Sequence, residues 1–186
     1  MRTAGWSASA CAATPMLGNH SGGLVTATVK RVGLALVAHF DVEIVPARAA
    51  MYHVGGMVRG GFVIVNLYLV HSVGIDEQNW SIFAKVGARL KTAGLPFIIG
   101  GDWNFTVDEL QKTSWVDAMD AVVIAPEHGT CRPALRCIDV FVVSRQIAGQ
   151  ARAEVLQNVP ISPPPSCQAC CPVGRAVMQG EVCAGS

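Results

Sequence analysis

The most informative segment of this 186-residue chain is Phe97-Ile98-Ile99-Gly100-Gly101-Asp102-Trp103-Asn104. Its first three residues are apolar and partly β-branched, as in a buried strand. The two glycines that follow allow a sharp turn or a close approach of the backbone. Asp102 and Asn104 come next, and in an extended chain residues two apart point to the same side. We therefore expect both side chains to face one pocket at the end of the strand.

The polar residues of this turn are open to two interpretations. A carboxylate and a carboxamide can ligate a hard cation or bind a polar substrate, which would make Asp102 and Asn104 functional. The same residue types also stabilise turns and helix starts by bonding to nearby backbone groups. For an isolated Gly-Asp-x-Asn the second interpretation is the more frequent one, so the rest of the sequence has to decide.

Composition and charge narrow the class of protein. About half of the residues are hydrophobic (51%) and only 15% are charged, which excludes a disordered chain and predicts one domain with a real core. The formal net charge of +1 gives no overall basic surface for nucleic acid. No apolar run reaches the roughly 18 residues of a membrane span, and the start of the chain is a poor signal peptide. These features predict an intracellular protein, cytoplasmic or nuclear, without a membrane partner.

The seven cysteines do not form a recognisable framework. Cys167 and Cys170 have the spacing of half a zinc site, but a second close pair is missing and Cys183 stands alone. Free thiols in a reducing compartment are therefore the expectation, with a structural zinc as the minor alternative.

Alternating and continuous apolar runs predict several strands before the Asp102 turn. The predicted strands cover residues 24–29, 32–40, 42–45, 49–58 and 62–70, with a hairpin through Lys30-Arg31 joining the first two. Ser21-Gly22-Gly23 predicts a turn, whereas residues 1–20 show no clear pattern. The run over residues 62–70 is nearly all apolar, as in a central strand.

Between residues 76 and 92 the apolar period becomes helical. The residues that recur at this spacing are Trp80, Phe83, Ala84, Val86, Gly87 and Leu90. Asp76 is the expected N-cap and Gly94 the expected stop. Residues 62–70, 77–92 and 97–100 would then form one right-handed crossover with parallel strands.

The remainder of the chain adds shorter elements. Residues 107–111 predict a helical turn, residues 137–143 a strand, and residues 153–156 and 173–178 two further short strands, whereas residues 116–124 are ambiguous. Together these elements predict a mixed α/β sandwich rather than an all-β or helical fold.

Two further blocks carry chemistry. Cys137-Ile138-Asp139-Val140-Phe141-Val142-Val143-Ser144 places one carboxylate in an apolar strand, where a charge is unfavourable unless it is paired. Val65-Asn66-Leu67-Tyr68-Leu69-Val70-His71 carries a tyrosine whose hydroxyl needs a polar partner if it is buried. A strand-end aspartate with backbone bonds and a core tyrosine are the alternatives without function.

These blocks, in this order, resemble the endonuclease/exonuclease/phosphatase family of Mg²⁺-dependent phosphodiesterases, which includes abasic-site and retroelement endonucleases. Asp102 and Asn104 match its Gly-Asp-x-Asn block, Asp139 its Ile-Asp-Tyr-Phe block and Tyr68 its Asn-Val-Tyr strand. Ser21-Gly22-Gly23 and Thr130-Cys131-Arg132 are weaker matches. The resemblance implies a two-sheet sandwich flanked by helices over residues 1–178, incomplete, with residues 179–186 as a tail.

The resemblance also implies roles for the four residues. Asp102 would ligate Mg²⁺ and, with Asn104, position the attacking water and the phosphate. Tyr68 would bind a non-bridging phosphate oxygen, and Asp139 would orient a catalytic histidine. The substrate would be nucleic acid or another phosphodiester.

The sequence departs from the family in two blocks. The family's metal-binding glutamate precedes the Ser-Gly-Gly strand, but the first glutamate here, Glu43, follows it. Pro164 stands where the terminal catalytic histidine is expected, and all five histidines precede Asp139. The resemblance therefore implies an N-terminally truncated and impaired hydrolase. The alternatives are a phosphate- or nucleic-acid-binding remnant without catalysis and a fragment that folds poorly.

Overall fold

The computed structural model describes residues 5–16, 19–30, 32–55, 58–71, 73–127, 137–156 and 175–180. Contacts within the chain divide it into two compact units, Met1–Gly101 and Asp102–Ser186. Among the described residues, no helix is both long and apolar enough to cross a membrane.

The first unit contains two main β-layers. One is the antiparallel pair of β1 (Trp6–Cys11) and β4 (Leu24–Val29). The other has the strand order β5 (Glu43–Val45), β6 (Ala49–Val54), β7 (Phe62–Tyr68) and β8 (Phe97–Asp102), and the last residue of β8 opens the second unit. A short pair, β2 (Thr14–Met16) and β3 (Asn19–Ser21), connects β1 to β4.

Side chains from both layers pack against each other in this unit. Leu24 forms a buried cluster with Ala50 and Tyr52. The Tyr52 hydroxyl donates a hydrogen bond to Ser9 Oγ at 3.0 Å. Asn66 Nδ2 donates to the Val25 carbonyl at 2.9 Å. The predicted two-sheet packing is therefore present in the first unit.

Helix α1 (Glu77–Ala93) confirms the helical period and both of its predicted ends. Asp76 caps it by accepting a hydrogen bond from Asn79 N at 3.0 Å. Gly94 ends it in the left-handed conformation, with φ of 62°, and donates its N–H to the Leu90 carbonyl. The helix buries Asn79, Ile82, Phe83, Val86, Gly87 and Leu90.

Asn79 ties the start of this helix to the loop that follows β7. It is fully buried, and its Oδ1 accepts a hydrogen bond from Val70 N at 2.9 Å. Its Nδ2 donates to the carbonyls of Val70 at 3.1 Å and Gly74 at 2.7 Å. The buried carboxamide thus has partners for both its oxygen and its nitrogen, as a buried polar group requires.

Gly101 explains why the glycine pair comes before Asp102. Its φ is +154°, and a Cβ at this position would overlap the Leu67 carbonyl oxygen. The backbone of β8 therefore approaches β7 more closely than any side chain allows.

The second unit is built from short elements. Its helices are α2 (Val107–Gln111), α3 (Trp115–Ala118) and α4 (Arg145–Ala148), and its strands are β9 (Ala121–Ile124), β10 (Asp139–Ser144), β11 (Ala151–Leu156) and β12 (Arg175–Gly180). Strand β10 pairs antiparallel with β9, and β11 pairs antiparallel with β12. Helix α2 begins with a capping box in which Thr106 and Glu109 bond to each other's backbone.

One of the predicted strands is wrong. Residues 32–40 do not form a strand, since they contain a single β-bridge from Ala35 to His53. Gly33, at φ of 75°, and His39, at φ of 65°, turn the backbone away from extended geometry. No hairpin through Lys30 therefore joins this stretch to β4.

The partner of β4 is instead β1, which the sequence did not predict. The residues of β1 are small or exposed, so periodicity gave little signal. Strand β6 ends at Val54, four residues earlier than predicted, and β7 ends at Tyr68, two residues earlier. The single domain predicted over residues 1–178 stays a prediction.

Candidate functional site

Trp103 holds the turn that follows β8. It is completely buried, and its indole Nε1 donates a hydrogen bond to the Val140 carbonyl at 2.9 Å. Its backbone N–H donates to the Ile138 carbonyl at 3.0 Å. These two acceptors lie on either side of Asp139 in the sequence. Trp103 thereby keeps the Asp102 turn alongside the first residue of β10.

Asp102 and Asn104 do not share the extended geometry that the sequence predicted. Asn104 has φ of +57°, in the left-handed region. Asp102 Oδ1 accepts a hydrogen bond from the Asn104 backbone N–H at 3.0 Å, which closes a turn of the Asx type. The expectation that the chain is extended through Asn104 is therefore wrong. Their functional roles stay predictions.

Asp139 is the first residue of β10 and is half-buried. The preceding loop places the Cys137 thiol near it, with Sγ 4.0 Å from the Asp139 carbonyl oxygen. Burial, and secondarily the negative charge of Asp139, raise the pKa of the Cys137 thiol.

The donors of this turn are suited to a hard cation. Asp102, Asn104 and Asp139 offer only oxygen ligands, and Mg²⁺ uses one or two protein carboxylates while keeping several waters. Within the described ranges, no group of three or more His, Cys, Asp or Glu side chains is arranged to hold a metal. A Mg²⁺ ion held by a single carboxylate and several waters would not need such a group.

Tyr68, the remaining predicted site residue, lies at the end of β7 in the first unit. The guanidinium carbon of Arg48 sits 5.1 Å from the centroid of its ring. Arg48 Nη2 also donates a hydrogen bond to Ser21 Oγ at 2.6 Å. We refer to Arg48, Tyr68 and Ser21 as the Arg48 cluster.

The backbone supports the same cluster. Ser21 ends β3, and the glycines that follow it have φ of 82° and 92°, so the predicted turn is confirmed. Gly23 N donates to the Ala47 carbonyl at 3.0 Å. Tyr68 N donates to the Arg48 carbonyl at 2.8 Å. Three segments that are far apart in sequence therefore meet at residues 47 and 48.

Arg48 was missed by the sequence analysis because it belongs to no contiguous motif. One signal was available, since Arg48 is the only charged residue from 44 to 58 in an otherwise apolar stretch. It also lines a cavity of about 440 Å³ beside the first turns of α1, together with Lys85 and Asp76. No carboxylate pairs with Arg48 in the part of the chain that the structure describes.

Several predicted features fall on residues outside the described ranges. These are Thr130-Cys131-Arg132, the proline-rich stretch around Pro164, and Cys167, Cys170, Cys171 and Cys183. The weak match of the first and the zinc alternative for the last group therefore stay predictions.

Comparison with known proteins gives matches in structure but not in sequence. Neither family models nor curated proteins match this chain. The endonuclease domain of TRAS1, a telomere-specific non-LTR retrotransposon, is similar in structure with a TM-score of 0.59 at 10% identity, over 81% of this chain and 74% of that one.

Two bacterial structures are also similar. The 3′ phosphatase NExo from Neisseria, bound to a product DNA hairpin, has a TM-score of 0.54 at 13% identity, over 96% of this chain and 79% of its own. An endonuclease/exonuclease/phosphatase family protein from Bacteroides thetaiotaomicron has a TM-score of 0.53 at 17% identity, over 94% of this chain and 73% of that one. The chain has the endonuclease/exonuclease/phosphatase fold, as the resemblance implied.

Proposed function

We propose that this chain is a slow, Mg²⁺-dependent phosphodiesterase that acts on nucleic acid. The observation that carries the proposal is the pair of hydrogen bonds from Trp103 to Ile138 and Val140. They keep the carboxylate of Asp102 beside the strand that begins with Asp139. Oxygen donors held on adjacent backbone segments are what a phosphodiesterase needs to bind a hard cation.

Each residue has a stated task in this proposal. Asp102 would hold Mg²⁺ and, with Asn104, would position the attacking water and the phosphate, to which Asn104 would donate a hydrogen bond from its carboxamide. Tyr68 would donate a hydrogen bond from its hydroxyl to a non-bridging oxygen, and Asp139 would orient a general base, although Pro164 stands where the family's histidine is expected. When bound, Mg²⁺ neutralises charge on the phosphate.

The rate is proposed to be low for two reasons. The described residues contain no group of three or more His, Cys, Asp or Glu side chains that could hold the metal firmly. Pro164 also occupies the position where the resemblance implies the catalytic histidine. Nucleic acid is favoured as the substrate because NExo, one of the similar structures, holds a DNA hairpin product.

A nicking assay tests the proposal. The purified chain is incubated with supercoiled plasmid and Mg²⁺, and the relaxed form is quantified over time. We expect slow nicking that EDTA abolishes and that Asp102→Asn lowers by about a hundredfold or more. Asp117→Asn is the matched control, since Asp117 is an exposed aspartate of the same unit that pairs with Arg145. Equal nicking by the Asp102→Asn protein would contradict the proposal.

A second candidate is nucleic-acid binding without hydrolysis. It is favoured by Arg48, a half-buried cation that has no carboxylate partner in the described part of the chain and is therefore suited to an anion. Binding of a labelled DNA hairpin, measured by fluorescence anisotropy, with no nicking at any Mg²⁺ concentration would select this function. Such binding should weaken with added salt because phosphate contacts release counterions.

A further inference from the structure

We propose that Arg48 is a positioning residue that fixes Tyr68 for its contact with the substrate phosphate. This inference rests on the proposed function, because it assumes that Tyr68 binds a phosphate oxygen. Arg48 acts through the Arg48 cluster and needs no contact of its own with the substrate.

The first argument is the geometry around the Tyr68 ring. A guanidinium 5.1 Å from the ring centroid lies within the range of a cation–π contact. The backbone N–H of Tyr68 is also bonded to the carbonyl of Arg48. Arg48 therefore restrains both the ring and the backbone of the same tyrosine.

The second argument is that Arg48 itself is held in place by a hydrogen bond to Ser21. Its Nη2 donates to Ser21 Oγ at 2.6 Å, a contact across 27 residues of sequence. Both side chains are half-buried, so water competes less for this bond than it would at the surface. The planar guanidinium is thus held in one orientation over the ring.

The third argument is the strained backbone just before Arg48. Ala47 is buried and has φ of +56°, a conformation that non-glycine residues rarely adopt. Arg48 N donates to the Val45 carbonyl at 3.0 Å and closes a turn that contains Pro46. The surrounding contacts maintain this strain, which is frequent where a side chain must be aimed.

Affinity measurements on a double-mutant cycle test the proposal. Binding of a fluorescein-labelled DNA hairpin is measured by anisotropy in EDTA for the wild type, Arg48→Ala, Tyr68→Phe and the double variant. We expect each single variant to weaken binding by about fivefold and the double variant to be no weaker than either, because Arg48 acts through Tyr68. Arg48→Lys keeps a cation over the ring and should bind with intermediate affinity.

Arg89→Ala is the matched control. Arg89 also lies over an aromatic ring, 5.0 Å from the centroid of Phe40, in the same unit. Its loss removes a comparable cation–π contact and should leave hairpin affinity unchanged. An equal loss of affinity in Arg89→Ala would reduce Arg48 to a structural role.

The tyrosine ring is observed directly by NMR. The chain has only two tyrosines, so ¹³C-tyrosine labelling gives two sets of ring signals, and Tyr68→Phe assigns them. We expect Arg48→Ala to shift the Tyr68 signals in the free protein and to leave those of Tyr52 in place. Unchanged Tyr68 signals would overturn the proposal.

The outcomes separate this inference from the proposed function. Hairpin affinity that is equal in the wild type and Arg48→Ala, or losses that add in the double variant, would overturn the positioning role alone. Additive losses would mean that Arg48 contacts the phosphate itself. A wild-type protein that binds no hairpin would overturn the proposed function and, with it, the task assigned to Arg48.

Discussion

The turn after β8 and the turn before β4 are held in place by different kinds of contact. In the first, Asp102 bonds to the backbone two residues ahead, and Trp103 at its centre bonds to the start of β10. In the second, Ser21 is held by Arg48, which comes from a turn 27 residues further along the chain. Each belongs to a different unit of the chain.

This difference separates two ways of building a site. The turn at residues 102–104 contains its candidate ligands, Asp102 and Asn104, and its anchor, Trp103, in one contiguous stretch. It can therefore be recognised from the sequence alone. The turn at residues 21–23 contributes only two glycines and one hydroxyl. The charged residue beside it, Arg48, comes from a distant part of the sequence. Both nevertheless depend on a glycine whose Cβ would meet a backbone carbonyl, and this shared dependence gives the largest predicted effects.

Replacing Gly101 with alanine should have the largest effect. A Cβ here would overlap the Leu67 carbonyl oxygen inside the sheet of the first unit, and the backbone φ is unfavourable as well. We expect a loss of more than about 4 kcal/mol in the free energy of unfolding, or no folded protein. Urea unfolding followed by circular dichroism measures it, with Gly74→Ala as the control. Gly74 has φ of +61° and no atom within 4 Å of its Cβ position.

The Gly22→Ala variant tests the turn before β4. It should lose less free energy of unfolding than Gly101→Ala. Its Cβ would meet the Ala47 carbonyl oxygen, but the overlap is smaller than the one that Gly101→Ala makes with the Leu67 carbonyl. Gly33→Ala is a close control, since Gly33 has φ of +75° against +82° for Gly22 and nothing within 4 Å. We expect about 1 kcal/mol for Gly33→Ala and about 2–3 kcal/mol for Gly22→Ala. Equal losses would show that backbone conformation alone, and not the contact with Ala47, matters.

The contrast between the two turns also explains what the sequence could predict. Helix α1 and both of its caps were predicted because the period of 3.6 residues and the capping residues are local signals. The four candidate site residues were proposed from contiguous blocks that resemble a known family, and their roles stay predictions. Strand β1 and Arg48 were missed, because β1 owes its structure to pairing with β4 and Arg48 owes its place to Ser21 and Tyr68.

Residues 32–40 show the opposite error. Their composition predicts a strand, but intrinsic β preference depends on the neighbours that a strand finds in the fold. In the structure only Ala35 bridges to another strand, through His53. The left-handed Asn104 was likewise beyond prediction from the pattern, since an Asx turn and an extended chain begin with the same residues.

A Trp103→Phe substitution should have a moderate effect on the first turn. It retains most of the buried ring but removes the donor to the Val140 carbonyl. We expect a loss of about 1–3 kcal/mol in the free energy of unfolding, because a buried acceptor loses its partner. Trp80→Phe is the control, since Trp80 is 45% exposed and should change stability by less than about 0.5 kcal/mol. If the two variants were equally stable, the indole bond would not anchor the turn.

The smallest expected effect is a change in the pKa of a thiol. It can be compared between one cysteine of each unit. Burial first, and then a neighbouring carboxylate, raise the pKa of Cys137 beside Asp139. Burial and Glu43 likewise raise the pKa of Cys11. Removing the carboxylate should lower each pKa, so that more thiolate is present at pH 8 and alkylation is faster.

The Asp139→Asn and Glu43→Gln variants form a crossed test of this electrostatic effect. The first should accelerate alkylation of Cys137 by iodoacetamide and leave Cys11 unchanged, and the second should do the reverse. Peptide mass spectrometry of the folded proteins quantifies both sites in one sample, so each cysteine serves as the control for the other. Acceleration at both sites in one variant would indicate a loosened fold. No acceleration at Cys137 in Asp139→Asn would mean that Asp139 does not act as a charge at the start of β10, which would remove it from the candidate site.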